Sequence, residues 1–164
     1  MTPAREPADD AAKLAEEIAT IAGANSWTVA VAESLTSGRI ASQLGAAPNA
    51  SSWFAGGVVA YASEVKFKVL DVDRGPVVTA RCARQLARGV ARLMDADFAV
   101  AATGVGGPEP EEGNPAGTVF LAVSSASGEE AEHYQFDGEP AEVVERTSAT
   151  ALQNLLVLMR KHAH

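Results

Sequence analysis

The chain has 164 residues, 47% of them hydrophobic, and a mean hydropathy of +0.02, the size and composition of one domain with a core of its own. Its 13 Lys and Arg against 21 Asp and Glu give a formal net charge of −8, the wrong sign for holding nucleic acid by phosphate neutralisation, and the 5% aromatic content argues against base-stacking platforms. The apolar runs 98–102 and 119–123 fall far short of the ~20 residues that span a membrane. The first ten residues are polar and acidic, unlike a secretory signal. A single cysteine, Cys82, allows no internal disulfide, so the expected compartment is the cytoplasm. The many Ala and Gly residues fit an α/β enzyme with close backbone approaches, and equally a compositional bias of the genome.

In chain order, a first helix is predicted over residues 9–22, where Leu14, Ile18 and Ile21 recur at helical spacing and Gly23 supplies a stop; residues 1–8 are expected to fray. Residues 27–32 read as a buried strand and 37–44 as a helix, broken by Gly45, Pro48 and Asn49. A second strand is expected at 56–61 and a short helix at 64–70. Thr79 then caps a longer helix whose inward face carries Cys82, Leu86, Val90 and Leu93 and which stops before Asp95. Residues 98–102 form another buried strand, and an acidic, Pro-rich loop runs on to Ala116. Strands at 118–123 and 130–136 make a hairpin around Ser127-Gly128. A final helix over 141–160 places Val144, Ala151, Leu155 and Leu158 on one stripe. Alternating strands and helices with a late hairpin predict one α/β domain on a mixed, mostly parallel sheet.

In such a sheet ligands bind beyond the carboxyl ends of the strands. Three segments are expected there. Residues 33–38 (Glu-Ser-Leu-Thr-Ser-Gly) put the hydroxyls of Ser34, Thr36 and Ser37 at a helix start, either to cap it or to bind an anion or oxyanion. Residues 61–66 end in Lys66, flanked by Val65 and Phe67 and expected to be partly buried; a desolvated lysine can serve as a base, whereas Lys68 is expected to be an ordinary surface charge. Residues 103–108 (Thr-Gly-Val-Gly-Gly-Pro) can form a backbone nest but match neither a P-loop nor a dinucleotide fingerprint. His133, His162 and His164 lie away from these segments, so a His-based triad or a His/Cys metal site is not expected. Cys82 reads as a small buried hydrophobe. Glu109, Glu111 and Glu112 read as a solvated acidic loop rather than a cation site.

These segments resemble the CinA C-terminal domain family, whose members include nicotinamide mononucleotide deamidases. The family pattern Ala-Glu-Ser-Cys-Thr-Gly-Gly is similar to residues 32–38. Its Phe-x-Gly-Gly-x-Val-x-Tyr with a lysine five residues on is similar to Phe54, Gly56, Gly57, Val59, Tyr61 and Lys66. Its Thr-Gly-Ile-Ala-Gly-Pro is similar to residues 103–108, and its Pro-x-Gly-Thr-Val to Pro115, Gly117, Thr118 and Val119.

The resemblance covers nearly the whole chain and implies a three-layer α/β/α sandwich. It also implies an amidohydrolase that needs no metal or other cofactor and converts nicotinamide mononucleotide to nicotinate mononucleotide and ammonia. On that reading Ser34 is the nucleophile, Lys66 takes its proton and Tyr61 positions or relays. Thr36, Ser37, Gly38, Thr103, Gly104 and Gly107 then hold the oxyanion or the phosphate. A small-molecule nucleotide or amide is the expected partner, with no nucleic acid or membrane, and a homodimer is the expected state.

The chain departs from the family pattern at Leu35, which replaces a cysteine, and at Ser37, which replaces a glycine. Pro140 and Val144 stand where the family has arginines, and the loop 109–112 is more acidic than the pattern, which would disfavour a phosphorylated substrate. The same residues are also compatible with a non-catalytic ligand-binding relative, or with an amidase for another amide.

Overall fold

The computed structural model describes residues 7–163, with side chains from residue 10 onward. The chain runs α1 (Pro7–Asn25), β1 (Val29–Glu33), α2 (Arg39–Gly45), α3 (Ala50–Trp53), β2 (Phe54–Val59), α4 (Ser63–Val69) and α5 (Ala80–Met94). It continues through β3 (Phe98–Gly104), β4 (Thr118–Ser125), β5 (Gly128–Gln135) and α6 (Pro140–His162). The sheet order is β2-β1-β3-β4-β5, with β2, β1 and β3 parallel and β4 antiparallel to both of its neighbours.

Strand alternation divides the core into two unlike layers. Val29, Val31, Val100, Val119 and Leu121 point to one face and pack with Ile18 of α1, Ile40 and Leu44 of α2 and Leu152, Leu155 and Met159 of α6. Ala30, Ala32, Ala99, Ala101 and Ala122 point to the other face, where they meet Cys82, Ala83, Leu86, Ala87 and Val90 of α5. An alanine-lined face lets α5 lie close to the sheet, so at least this share of the small residues serves packing. The expected three layers and mixed sheet are therefore present. The outer strand β5 presents Glu129, Glu130, Glu132 and His133, and such charges keep an edge from pairing with other chains.

Several boundaries differ from the sequence expectation. The helix α1 begins at Pro7, so residues 7 and 8 are helical rather than frayed, while residues 1–6 lie outside the described part. It also passes through Gly23: the stop is Ser26 at φ 54°, with Trp27 N–H closing onto the Ala22 carbonyl at 3.0 Å. A helical glycine costs only ~0.5–1 kcal/mol, which the packing of α1 against α6 offsets. The short α3 has too few residues for a readable period; it buries Trp53, whose Nε1 donates to the Pro48 carbonyl at 3.0 Å. On α5, Leu93 is 53% exposed, because the inward stripe of 82, 86 and 90 continues to Met94, which packs under Gly56. Thr79 caps α5 as expected, accepting the Cys82 N–H at 3.0 Å. On α6 the buried residue is Val143 rather than Val144. That helix starts at Pro140, one residue early, because Glu139 and Glu142 form a capping box around it.

Candidate active site

The crossover from β1 to β2 carries α2 and α3 on one face, and the crossover from β2 to β3 carries α4 and α5 on the other. The carboxyl ends of β1 and β3 therefore flank the point where strand order reverses, the crevice in which open α/β sheets bind ligands. A cavity of about 380 Å³ opens there. Its lining includes Ser34 and Leu35 after β1, Tyr61 and Lys66 around the start of α4, and Thr103, Gly104, Gly106 and Gly107 at the end of β3. The three segments singled out in the sequence thus meet in one place.

They do not all contribute as expected. Ser34 lines the cavity, is only 8% exposed, and its hydroxyl has no hydrogen-bond partner among the described residues. Neither Ser34, Thr36 nor Ser37 caps α2. The N-cap is Gly38, at φ 101°, and the first turn is closed instead by the buried carboxylate of Glu33, which accepts the N–H groups of Ile40 and Ala41 at 2.9 and 3.0 Å. Thr36, Ser37 and Gly38 stay outside the cavity lining. The Thr36 hydroxyl is buried without a partner among the described residues, and Ser37 is exposed in a left-handed turn at φ 51°. No local pattern identifies Glu33 as the cap, because it reaches seven and eight residues forward from the end of a strand.

Lys66 is 2% exposed, whereas Lys68 on the same helix carries a side chain that is 72% exposed. The buried ammonium donates to the Tyr61 carbonyl at 3.3 Å. Burial pulls the Lys66 pKa below its ordinary value, partly opposed by the nearby Cys82, Glu111 and Glu112. Tyr61 itself is 67% exposed, so its phenol stands at the rim while its backbone holds the lysine. Burial also pushes the Cys82 thiol up to about 11, against the pull of the Lys66 charge, which keeps it a protonated thiol beside the lysine.

Thr103 is fully enclosed, and its hydroxyl donates to the Val77 carbonyl at 2.7 Å, so that proton is not available to a ligand. Gly104 and Gly107 line the cavity. A Cβ on Gly104 would lie 2.5 Å from the Thr118 carbonyl oxygen, and one on Gly107, at φ 88°, would lie 2.8 Å from Ala116 Cβ. The loop base is closed by Val105 N–H to Thr118 O and Gly117 N–H to Val105 O, each 2.8 Å. That leaves the N–H groups of Gly106 and Gly107 without partners among the described residues, on the segment that lines the cavity. Glu109, Glu111 and Glu112 complete the wall. Glu112 is not merely solvated: its carboxylate accepts Val77 N–H at 2.9 and 3.0 Å and Val78 N–H at 2.7 Å.

Among the described residues no group of three or more His, Cys, Asp or Glu is placed to hold a metal ion, and no helix is long and apolar enough to cross a membrane. His162 lies at the opposite end of β3, edge-on to Phe98 with ring centroids 5.4 Å apart. Arg39, next to Gly38, is tied to Glu145 of α6 at 2.8 Å.

Comparison with known proteins agrees with this architecture. A CinA superfamily protein from Klebsiella pneumoniae superposes with a TM-score of 0.88 at 30% identity, over 92% of this chain and 98% of that one. A competence/damage inducible protein from Agrobacterium tumefaciens gives 0.84 at 30% identity, over 96% and 99%. The putative competence-damage inducible protein of Bacillus subtilis is 34% identical over 157 residues, 93% of this chain but 38% of that protein. A counterpart from Geobacillus is 47% identical over 107 residues, 62% of this chain and 26% of that protein. The chain thus spans about a quarter to two fifths of the length of these curated relatives. The model of the CinA C-terminal domain matches residues 11–159, and the chain belongs to that family.

Proposed function

We propose that the protein is an amidohydrolase of the nicotinamide mononucleotide deamidase type, which turns a carboxamide and water into a carboxylic acid and ammonia. The observation that carries this reading is that Ser34 and Lys66 line one cavity, each more than nine-tenths buried, with the lysine ammonium disfavoured by its surroundings. A serine with a lysine base is a known variant of nucleophilic acyl transfer.

In this mechanism Ser34 Oγ attacks the amide carbon as its proton passes to Lys66 Nζ. The carbonyl oxygen, now an oxyanion, is held by the N–H groups of Gly106 and Gly107. Collapse breaks the C–N bond, and Lys66 returns the proton to the departing nitrogen, which leaves as ammonia. Water then attacks the acyl ester as Lys66 takes a proton from it; collapse breaks the bond between the acyl carbon and Ser34 Oγ, Lys66 returns the proton to that oxygen, and the carboxylic acid leaves. Burial lowers the Lys66 pKa below its ordinary value, which makes its amine easier to recruit as a base than that of an exposed lysine. The Tyr61 carbonyl orients it. The chemistry belongs to these side chains and calls on no cofactor.

Ammonia release from nicotinamide mononucleotide by the purified protein tests the proposal. Loss of roughly 10²–10⁴-fold in kcat/KM is expected for Ser34→Ala and for Lys66→Ala. A second reading, a non-catalytic ligand-binding relative, is favoured by the spent Thr103 hydroxyl and by the lack of arginine among the described residues of the cavity lining. Binding without any ammonia release would establish it. A cytoplasmic location and a homodimeric state belong to the same proposal and are checked by fractionation and by sedimentation.

A further inference from the structure

The cavity has a charge pattern that the amidase mechanism does not use. Among the described residues its lining holds one cation, Lys66, which is buried and disfavoured in its charged form, and three carboxylates, Glu109, Glu111 and Glu112. The Glu112 carboxylate is occupied by two backbone N–H groups. The side chains of Glu109 and Glu111 make no hydrogen bond or ion pair among the described residues and are exposed on the cavity wall, and Glu111 is near enough to Lys66 to raise its pKa. Arg39, the basic side chain next to the Ser34–Gly38 turn, does not line the cavity and is neutralised by Glu145. The floor, by contrast, offers the unpartnered Ser34 hydroxyl, a polar group more than nine-tenths buried and open to a ligand.

A phosphate monoester entering here would bring close to two negative charges against two carboxylates that make no hydrogen bond, with no guanidinium among the described lining residues to receive it. A pyridinium ring would bring a positive charge to the same wall. Resting on the amidase reading above, we propose that Glu109 and Glu111 select the substrate by charge: the protein takes a cationic carboxamide that carries no phosphate, such as an N-substituted nicotinamide, in preference to its phosphorylated form. The selection is electrostatic and acts across partly hydrated space, so it weakens as salt screens the wall.

The test compares nicotinamide riboside with nicotinamide mononucleotide, which differ only in the phosphate, and N1-methylnicotinamide with nicotinamide, which differ in the positive charge. Ammonia release is followed at 20 mM and 1 M NaCl for the wild type and for Glu109→Gln/Glu111→Gln. At low salt kcat/KM is expected to favour the riboside over the mononucleotide by about tenfold or more, and the methylated amide over the neutral one. Both ratios should fall toward unity in the double variant and at high salt. A preference for the mononucleotide, or a riboside preference that survives both changes, overturns the charge selection and leaves the amidase reading standing. If no amide is hydrolysed, the amidase reading falls, and calorimetric binding of the same four ligands then decides the selection by itself. Tighter binding of the riboside than of the mononucleotide, lost in the double variant, supports it, and equal or reversed affinity overturns it.

Discussion

The Glu112 carboxylate accepts the backbone N–H of Val78 at 2.7 Å, and the same carboxylate takes that of Val77, so the loop after β3 is pinned to the segment that leads into α5 across 34 residues of chain. Val77 is gripped a second time, through its carbonyl, by the Thr103 hydroxyl. One wall of the cavity is therefore tied down by two side chains, Glu112 through the amides of Val77 and Val78 and Thr103 through the Val77 carbonyl.

Glu112→Ala is expected to destabilise the protein by ~1–3 kcal/mol, because it leaves the buried Val78 amide without an acceptor. Glu112→Gln keeps one acceptor oxygen and should lose about half as much. Denaturant midpoints measure the difference, and hydrogen exchange should speed up selectively at the Val77 and Val78 amides.

Glu33 plays the corresponding part on the other side of the site, holding the first turn of α2 through Ile40 and Ala41. Glu33→Ala removes two charge-assisted hydrogen bonds in a buried setting, and a cost of ~2–4 kcal/mol is expected, with Glu33→Gln retaining part of the cap. Because Ser34 follows directly, kcat should fall along with stability, whereas KM-only changes would show that the turn does not position the serine.

Lys66→Met is expected to separate stability from function. It replaces a buried ammonium held by one 3.3 Å hydrogen bond with an apolar chain of similar length, so thermal stability should be equal or higher, by up to ~1 kcal/mol near neutral pH. Amidase activity should drop roughly 10²–10⁴-fold. A large fall in melting temperature would mean that the ammonium is structural.

The pH dependence follows from the direction of the same shift. Burial holds the Lys66 pKa in the folded chain below its ordinary 10.5, so the folded state releases this proton before the unfolded one does. Between the two values the unfolded state binds more protons, and the stability contributed by this residue rises with pH through that window and is lowest beneath it. Lys66→Met should abolish that slope. In kcat/KM the ascending limb should have its midpoint below 10.5, and Glu111→Gln should move it lower still, since the Glu111 charge raises the lysine.

Cys82 supplies a check on the electrostatics of this region. With its thiol pushed up to about 11 and its side chain buried, it should resist iodoacetamide at pH 7.5 in the native protein and react once the chain is unfolded. Rapid native alkylation would contradict both the burial and the shift.

Much of the architecture is legible in the sequence. Val29 and Val31 alternate with Ala30 and Ala32, Thr79 stands in front of the Cys82, Leu86, Val90 stripe, and Ser127-Gly128 separates two strand-like runs. Each of these patterns is local, because a strand repeats every two residues and a helix turn every 3.6, so the segment itself carries the information. The misses were local decisions overridden by packing. Gly23 stays helical because α1 has α6 to lie on, and Leu93 turns outward because Met94 completes the stripe.

By itself the sequence determined the element types, the α/β layering and the segments that would gather at the strand ends, and it singled out Lys66 over Lys68. The tertiary structure decided what each of those residues can do. Tyr61 serves Lys66 through its carbonyl, Thr103 spends its hydroxyl on Val77, Thr36 and Ser37 fall outside the cavity, and Glu33 and Glu112 tie down its two walls. Periodicity repeats within a few residues and can be read along the chain, whereas a hydrogen bond between residues 112 and 78 exists only once the sheet order has brought two distant loops to the same rim.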